Sequence, residues 1–135
     1  MEIYDDICKI DKQCFKHPWT WESMVFEMTH PLSVSVVERR GGEVVAFAVG
    51  RVVADEAEVT KIATLEEYRR QGIARVMMVE LLDKMREKGA LVCYLEAASK
   101  NTPAIALYKS LGFEEISVRE LYYGDDDAIT MRLIL

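Results

Sequence analysis

Eight consecutive residues, Tyr68-Arg69-Arg70-Gln71-Gly72-Ile73-Ala74-Arg75, combine small side chains with three cations in a pattern suited to holding a phosphate. Small residues at 72 and 74 let the backbone approach a ligand closely. The free amides of a first helical turn, with the helix dipole behind them, favour an anion there. No Gly-Lys-Ser/Thr follows, so this is not a Walker loop, and Met77 breaks the dinucleotide Gly-x-Gly-x-x-Gly pattern. Taken alone, the stretch also fits a helix start that needs small residues for packing, with its arginines solvated. Two further residues suit proton transfer. Glu96 ends the apolar run Leu91-Val92-Cys93-Tyr94-Leu95, where desolvation would raise a carboxylate pKa toward that of a general base. The plainer reading is an exposed acid at a strand end. Tyr108 shares a helix face with Ile105 and Leu111, so its ring can pack while its hydroxyl stays free to serve a site.

These residues need elements to position them. Ile7, Ile10 and Cys14 recur at helical spacing over 5–15, and His17-Pro18 breaks that helix. Thr20 can cap a second helix through about Met28, with Trp21, Met24, Val25 and Met28 on its apolar side, and Pro31 stops it. Strand patterns follow over 32–39, 44–53 and 57–63, with Gly41-Gly42 and Asp55-Glu56 as turns, giving an antiparallel meander. From Gly72 to Lys88, Ala74, Met77, Met78, Leu81, Leu82 and Met85 form a stripe of period 3.6. Residues 91–96 read as a buried strand, Thr102-Pro103 opens a helix that Gly112 ends, and 113–121 with 128–134 close the chain as an antiparallel pair. The order predicts a mixed α/β sheet with a parallel step in its middle.

Length bounds the chain to one domain, 1–135. Its apolar runs fall far short of the roughly 20 residues a membrane helix needs, and residues 1–6 do not read as a secretory signal. A cytoplasmic protein with no membrane partner is expected. The net charge of −6 argues against a nucleic-acid partner, which requires a basic face. Three cysteines and two histidines lack metal-ligand spacing, so no metal is expected and the thiols should be reduced. An acidic protein binds an anion only through a local device, and the 68–75 stretch is the one that offers it.

Arg69-x-x-Gly72-x-Ala74 resembles the pyrophosphate loop of the GNAT acetyltransferase superfamily. The run Asn101, Ala104-Ile105-Ala106-Leu107-Tyr108, Leu111-Gly112-Phe113 is similar to the second half of that superfamily's cofactor site. Pro18-Trp19-Thr20, Ala54-Asp55-Glu56-Ala57, Ile62-Ala63, Leu95-Glu96 and Tyr122-Tyr123 narrow the resemblance to the RimI type, the ribosomal-protein alanine N-acetyltransferases. It implies acetyl-CoA as co-substrate, paired with backbone amides of Ile62, Ala63 and Thr64. It places the diphosphate on Arg70, Gln71, Gly72, Ile73, Ala74 and Arg75, with Asn101 touching the cofactor arm. Arg69 fills the motif's first position and is expected to shape the loop.

The acceptor implied is the N-terminal α-amine of a protein, a ribosomal protein with N-terminal alanine. An α-amine with a pKa of about 7.7–8.0 is roughly 10–20% neutral at pH 7, so a modest base suffices, whereas a lysine near 10.4 needs stronger help. The resemblance makes Glu96 that base. Tyr108 is then the acid for the leaving thiolate, and the amides of 62–64 meet the oxyanion. Tyr122 and Tyr123 are implied to grip the peptide. On a strand they would point to opposite faces, one to the cleft and one to the core. Trp19 and Trp21 read as core or groove wall, and Asp125-Asp126-Asp127 as a solvated turn. A small-molecule amine or lysine acceptor, or a non-catalytic acyl-CoA-binding domain, are the alternatives. The chain departs from the family by a reduced or missing first edge strand, by Thr64 where Val is usual, and by Gly124 where Pro is usual.

Overall fold

The computed structural model describes residues 2–135. Four helices and six strands run in the order α1 (Glu2–Cys14), α2 (Trp21–Thr29), β1 (Ser33–Arg40), β2 (Glu43–Val53), β3 (Glu56–Thr64), α3 (Ile73–Glu87), β4 (Val92–Ala98), α4 (Thr102–Ser110), β5 (Glu114–Arg119) and β6 (Ala128–Ile134). One sheet holds all six strands in the order β1-β2-β3-β4-β6-β5. Each neighbouring pair is antiparallel except β3–β4, which α3 connects. The expected mixed sheet with its parallel step is therefore present. No strand precedes α1 among the described residues, and β1 is a sheet edge.

Residues 44–50 of β2 are all buried, at both parities, which requires cover on both faces of the sheet. Helix α1 packs on β2 and β3, while α3 packs on β1, β2 and β3. The stripe of α3 buries Ile73, Met77, Met78, Leu81, Leu82 and Met85. Ala74, expected in that stripe, is only half-buried, because it faces the groove described below. Thr20 caps α2 as expected, its hydroxyl accepting the Ser23 amide at 3.1 Å. Trp21 departs from expectation: it is exposed and meets Tyr4 edge-on, with ring centroids 6.4 Å apart.

Two strand ends differ from the sequence reading in ways that matter for the site. Strand β4 continues past Glu96, because Ala97 and Ala98 pair with Ile129 and Ala128 of β6. Strand β5 stops at Arg119. Leu121 turns to φ +49, held by Asp127 Oδ1, which accepts its amide at 2.9 Å. Tyr122 and Tyr123 thus lie in a turn and not on a strand.

The meander carries one irregularity. Val49 pairs with Lys61 but Gly50 pairs with Val59, leaving Thr60 as an extra residue that bulges β3. Gly50 is required at this point. A Cβ there would lie 2.2 Å from the Glu58 carbonyl oxygen and 2.7 Å from Met85 Cε. The carbonyl belongs to a paired strand and cannot retreat. Gly50→Ala is expected to destabilise the protein by about 2–3 kcal/mol, read as a lower urea midpoint at unchanged slope.

Candidate active site

Strands β3 and β4 are paired only through Glu56–Val92, Ala57–Cys93 and Glu58–Tyr94. Beyond that point they part. Thr60 bulges immediately after, and the bulge exchanges the residues whose backbone faces β4. Leu65 donates its amide to Val45 of β2 at 2.9 Å, so by alternation Ala63 and Lys61 also bond toward β2. The amides and carbonyls of Ile62 and Thr64 are left facing the gap. Of the three expected amide donors, two are placed to serve it. The Ala63 amide is turned to β2 by the register.

A groove of about 730 Å³ opens along this gap, lined by Ile62, Ala63 and Thr64, by Arg69, Arg70, Gly72, Ile73, Ala74 and Arg75, and by Asn101 and Tyr108. A single 3-10 turn, Glu66–Tyr68, leads into the loop. Arg70 and Gly72 both take left-handed backbone, φ +64 and +78. A Cβ on Gly72 would meet nothing within 4 Å, so the glycine is needed for its φ and keeps the groove open. The first helical bond of α3 runs from Val76 N to the Gly72 carbonyl at 3.2 Å, leaving the amides of Ile73, Ala74 and Arg75 without acceptors inside the helix. These amides, with three guanidinium groups nearby, form a cradle for an anion in an acidic protein.

Arg69 donates from Nε to the Thr64 carbonyl at 3.1 Å and from Nη2 to Cys14 Sγ at 3.3 Å. It therefore ties the loop to the ends of β3 and α1, in keeping with a shaping role. Arg75 donates to Ser110 Oγ, linking α3 to α4. Asn101 caps α4, accepting the Ala104 amide at 3.4 Å. Gln71 is exposed and is not part of the groove wall.

A second cavity, about 330 Å³, adjoins the first between β3, β4 and α4. Glu96, Tyr108 and Tyr123 line it, with Thr60, Lys61, Ala97 and Ala98. Cys14, Phe15, Ile62, Asn101, Ala104 and Tyr108 line both spaces, so the two meet at a shared wall. Tyr108 is 6% exposed and packs edge-on against Phe113, and burial pushes its phenol up to about 12. Its hydroxyl accordingly holds its proton at neutral pH.

The desolvation expected for Glu96 is not found. Burial alternates along β4, and the Glu96 side chain is 37% exposed, 3.6 Å from Arg119 Nη2. An apolar run suggests cover on both faces, but the second cavity opens one face of this strand. Tyr123 faces Glu96 across the cavity, and its phenol is raised first by partial burial and then by the Glu96 charge. Tyr122 lies outside the lining, stacked edge-on with Tyr123 and covered by the Arg119 guanidinium 4.6 Å from its ring centre.

The acidic stretch 125–127 is stitched into place and is not simply solvated. Asp126 accepts from the Ser99 hydroxyl and from the Lys100 amide, which holds its carboxyl below the usual range. Sequence reasoning also missed an ion pair under the cavity. Asp11 is fully buried, 2.6 Å from Lys61 Nζ. An acid between Ile10 and Cys14, on the buried face of a helix, is the signal that would have found it.

The sequence model of the acetyltransferase (GNAT) family matches residues 2–113. The ribosomal protein bS18-alanine N-acetyltransferase of Escherichia coli K12 is 42% identical over 98 residues, 70% of this chain and 66% of that protein, just under two thirds of its length. The protein of the same name from Salmonella typhimurium LT2 is 33% identical over 129 residues, 93% of this chain and 86% of that one. Among solved structures, the ribosomal-protein-S18-alanine N-acetyltransferase from Escherichia coli superposes with a TM-score of 0.89 at 32% identity, covering 97% of this chain and 86% of that chain.

The buried phenol gives a direct measurement. Its ordinary value of 10 is raised to about 12, so its neutral form is favoured by folding. The associated stability is fully present below pH 10 and is lost as pH rises through 12. Ultraviolet titration of phenolate should show a tyrosine ionising near pH 12 in the wild type and missing from Tyr108→Phe.

Proposed function

The chain belongs to the GNAT acetyltransferase family, and on that premise we propose that it transfers the acetyl group of acetyl-CoA to the N-terminal α-amine of a protein, a ribosomal protein beginning with alanine. The carrying observation is the pair of spaces that meet at Tyr108: one lined by the Arg69–Arg75 cradle, the other by Glu96 and Tyr123. The names of the bS18-alanine N-acetyltransferase relatives support the choice of acceptor. Such a substrate makes the cytoplasm the place of action.

The residues present fit an acyl-CoA. The open backbone at Gly72, the unpaired amides of Ile73, Ala74 and Arg75, and the flanking Arg70 suit its diphosphate. The Ile62 and Thr64 backbone suits an extended amide-bearing arm. Bound there, acetyl-CoA supplies a thioester whose carbonyl carbon the amine attacks. The nitrogen–carbon bond forms, the carbon–sulfur bond breaks, and one proton must leave the amine while one reaches sulfur.

Glu96 takes the amine's proton. It touches both the cavity and solvent, so the proton passes on to water, and the substrate needs only the neutral fraction already present near pH 7. Tyr108 faces the sulfur. A phenol near 12 is a weak acid against a thiolate whose thiol ordinarily titrates at about 8.5. The Tyr108 hydroxyl therefore works first as a hydrogen-bond donor to the charge growing on sulfur. It completes the transfer because desolvation in the same wall raises the thiolate's basicity too, and the phenolate then regains a proton from water through the cavity that it shares with Glu96. The Ile62 and Thr64 amides, already oriented by the β2 register, are the donors available to a developing oxyanion. Tyr123, at the cavity wall beside Glu96, contacts the peptide.

A panel of alanine-led peptides with free or blocked N-termini, each carrying an internal lysine, tests the acceptor class. Mass spectrometry is expected to show one acetyl group on free peptides and none on blocked ones; equal modification of both sets rejects the reading. Combining Glu96→Gln with Tyr108→Phe should lower kcat/KM on the order of 100-fold or more. Gly72→Glu, which adds a side chain and a negative charge to the cradle, should weaken acetyl-CoA binding by at least about 10-fold in calorimetry.

A further inference from the structure

The connector between α1 and α2, residues 15–20, has little secondary structure of its own, yet Phe15 forms part of both cavity walls. Backbone bonds tie its two ends, Phe15 N to the Asp11 carbonyl at 2.9 Å and Met24 N to the Thr20 carbonyl at 2.9 Å, and between them a buried carboxylate anchors it. Asp11 Oδ2 accepts the Trp19 amide at 2.8 Å, and Asp11 Oδ1 accepts from Lys61 Nζ at 2.6 Å. The Lys61 ammonium sits 4.6 Å from the Phe15 ring centre and 4.1 Å from that of Trp19, near enough for both rings to attract it. The Asp11 side chain is 0% exposed and that of Lys61 10%. Both charges are therefore largely removed from water, and each depends on the other.

Lys61 follows the Thr60 bulge and precedes Ile62, whose backbone faces the gap. It lines the smaller cavity itself. One ammonium thus joins three pieces: the strand that parts from β4, the end of α1, and the connector that walls the cavity. Nothing in the transfer of acetyl requires this cation, and its charge is already matched by Asp11. Its geometry serves placement.

We propose that Lys61 is a positioning residue for the acceptor, fixing Phe15 and the 15–20 connector against β3 through Asp11 and Trp19, so that the smaller cavity keeps the width the incoming amine requires. This rests on the reading of that cavity as the acceptor site. The donor groove shares Phe15 with the smaller cavity, but its anion cradle comes from Arg70 and the first turn of α3, neither of which touches Lys61, so donor binding should change far less than acceptor binding.

Lys61→Met combined with Asp11→Asn removes both charges together, so that no lone ion is left buried, and the side-chain amide oxygen introduced in place of the carboxylate can still accept the Trp19 amide. Steady-state kinetics with an alanine-led peptide should show acceptor KM raised on the order of 10-fold or more, the size of effect that a misfitting apolar wall has on substrate recognition. Acetyl-CoA affinity by calorimetry should stay within about twofold. Lys61→Gln keeps an N–H donor for Asp11 Oδ1 and should recover most of the acceptor KM; if the double variant does not fold, Lys61→Met takes its place beside Lys61→Gln, with the same two readings. An acceptor KM unchanged in a folded charge-deleted variant, or an equal loss of acetyl-CoA affinity, overturns the proposal. Ala98→Phe, which fills the cavity from the β4 side, separates the two layers. If it too leaves acceptor KM unchanged, the cavity is not the acceptor site; if it raises KM while the Lys61 variants do not, only the positioning role fails.

Discussion

The parting of β3 from β4 after Glu58 and Tyr94 is the constraint on which the rest of the site depends. Two neighbouring strands that separate leave backbone donors and acceptors unpaired, and such groups are costly unless something satisfies them. Here the bulge at Thr60 decides which groups those are, turning Ile62 and Thr64 toward the opening while β2 takes Lys61 and Ala63. The Thr64 carbonyl is answered within the chain by Arg69 and Cys14. The site is thus a sheet defect whose free groups are set by the bulge opposite Val49 and Gly50, and it is completed by whatever enters it.

Charge works against this opening at long range and for it at short range. A protein with net charge −6 repels an anion in bulk, but screening confines that effect to about 10 Å in ordinary salt. Within the groove the Arg69–Arg75 guanidinium groups and the first-turn amides of α3 dominate. In the second cavity the one lysine of the wall, Lys61, is matched by Asp11, which leaves Glu96 as the carboxylate of the wall with the anchored acidic turn 125–127 beyond. On the proposed function, an anionic donor and a basic amine would thereby be sorted to two neighbouring spaces before any bond is made.

Much of this was legible in the residues. The periods of α1 and α3, the Thr20 cap, the turn at Gly41-Gly42 and the order of strands follow from side-chain patterning, and the structure keeps them within a residue or three at each end. The loop around Gly72 was legible through its small residues and arginines together with the family resemblance, whereas its left-handed φ values at Arg70 and Gly72 emerge only in the structure. What escaped was long-range or local in the wrong way. Asp11 and Lys61 lie 50 residues apart, and no period links them. The exposure of Glu96 depends on a cavity made by β3 swinging away, which the run Leu91–Leu95 does not encode. Tyr122 and Tyr123 look like strand because aromatics favour strands. The turn is imposed instead by the Asp127 carboxylate on the Leu121 amide.

Arg70 sits at φ +64, a backbone region that costs a side-chain-bearing residue on the order of 1 kcal/mol and glycine almost nothing. A thermostabilising redesign guided by backbone preference alone would replace it with glycine and raise the melting temperature. The same change would strip a cation from the groove wall and, on the proposed function, give a hardier enzyme that saturates only at higher coenzyme concentration. At this one position, durability and thrift with substrate pull in opposite directions.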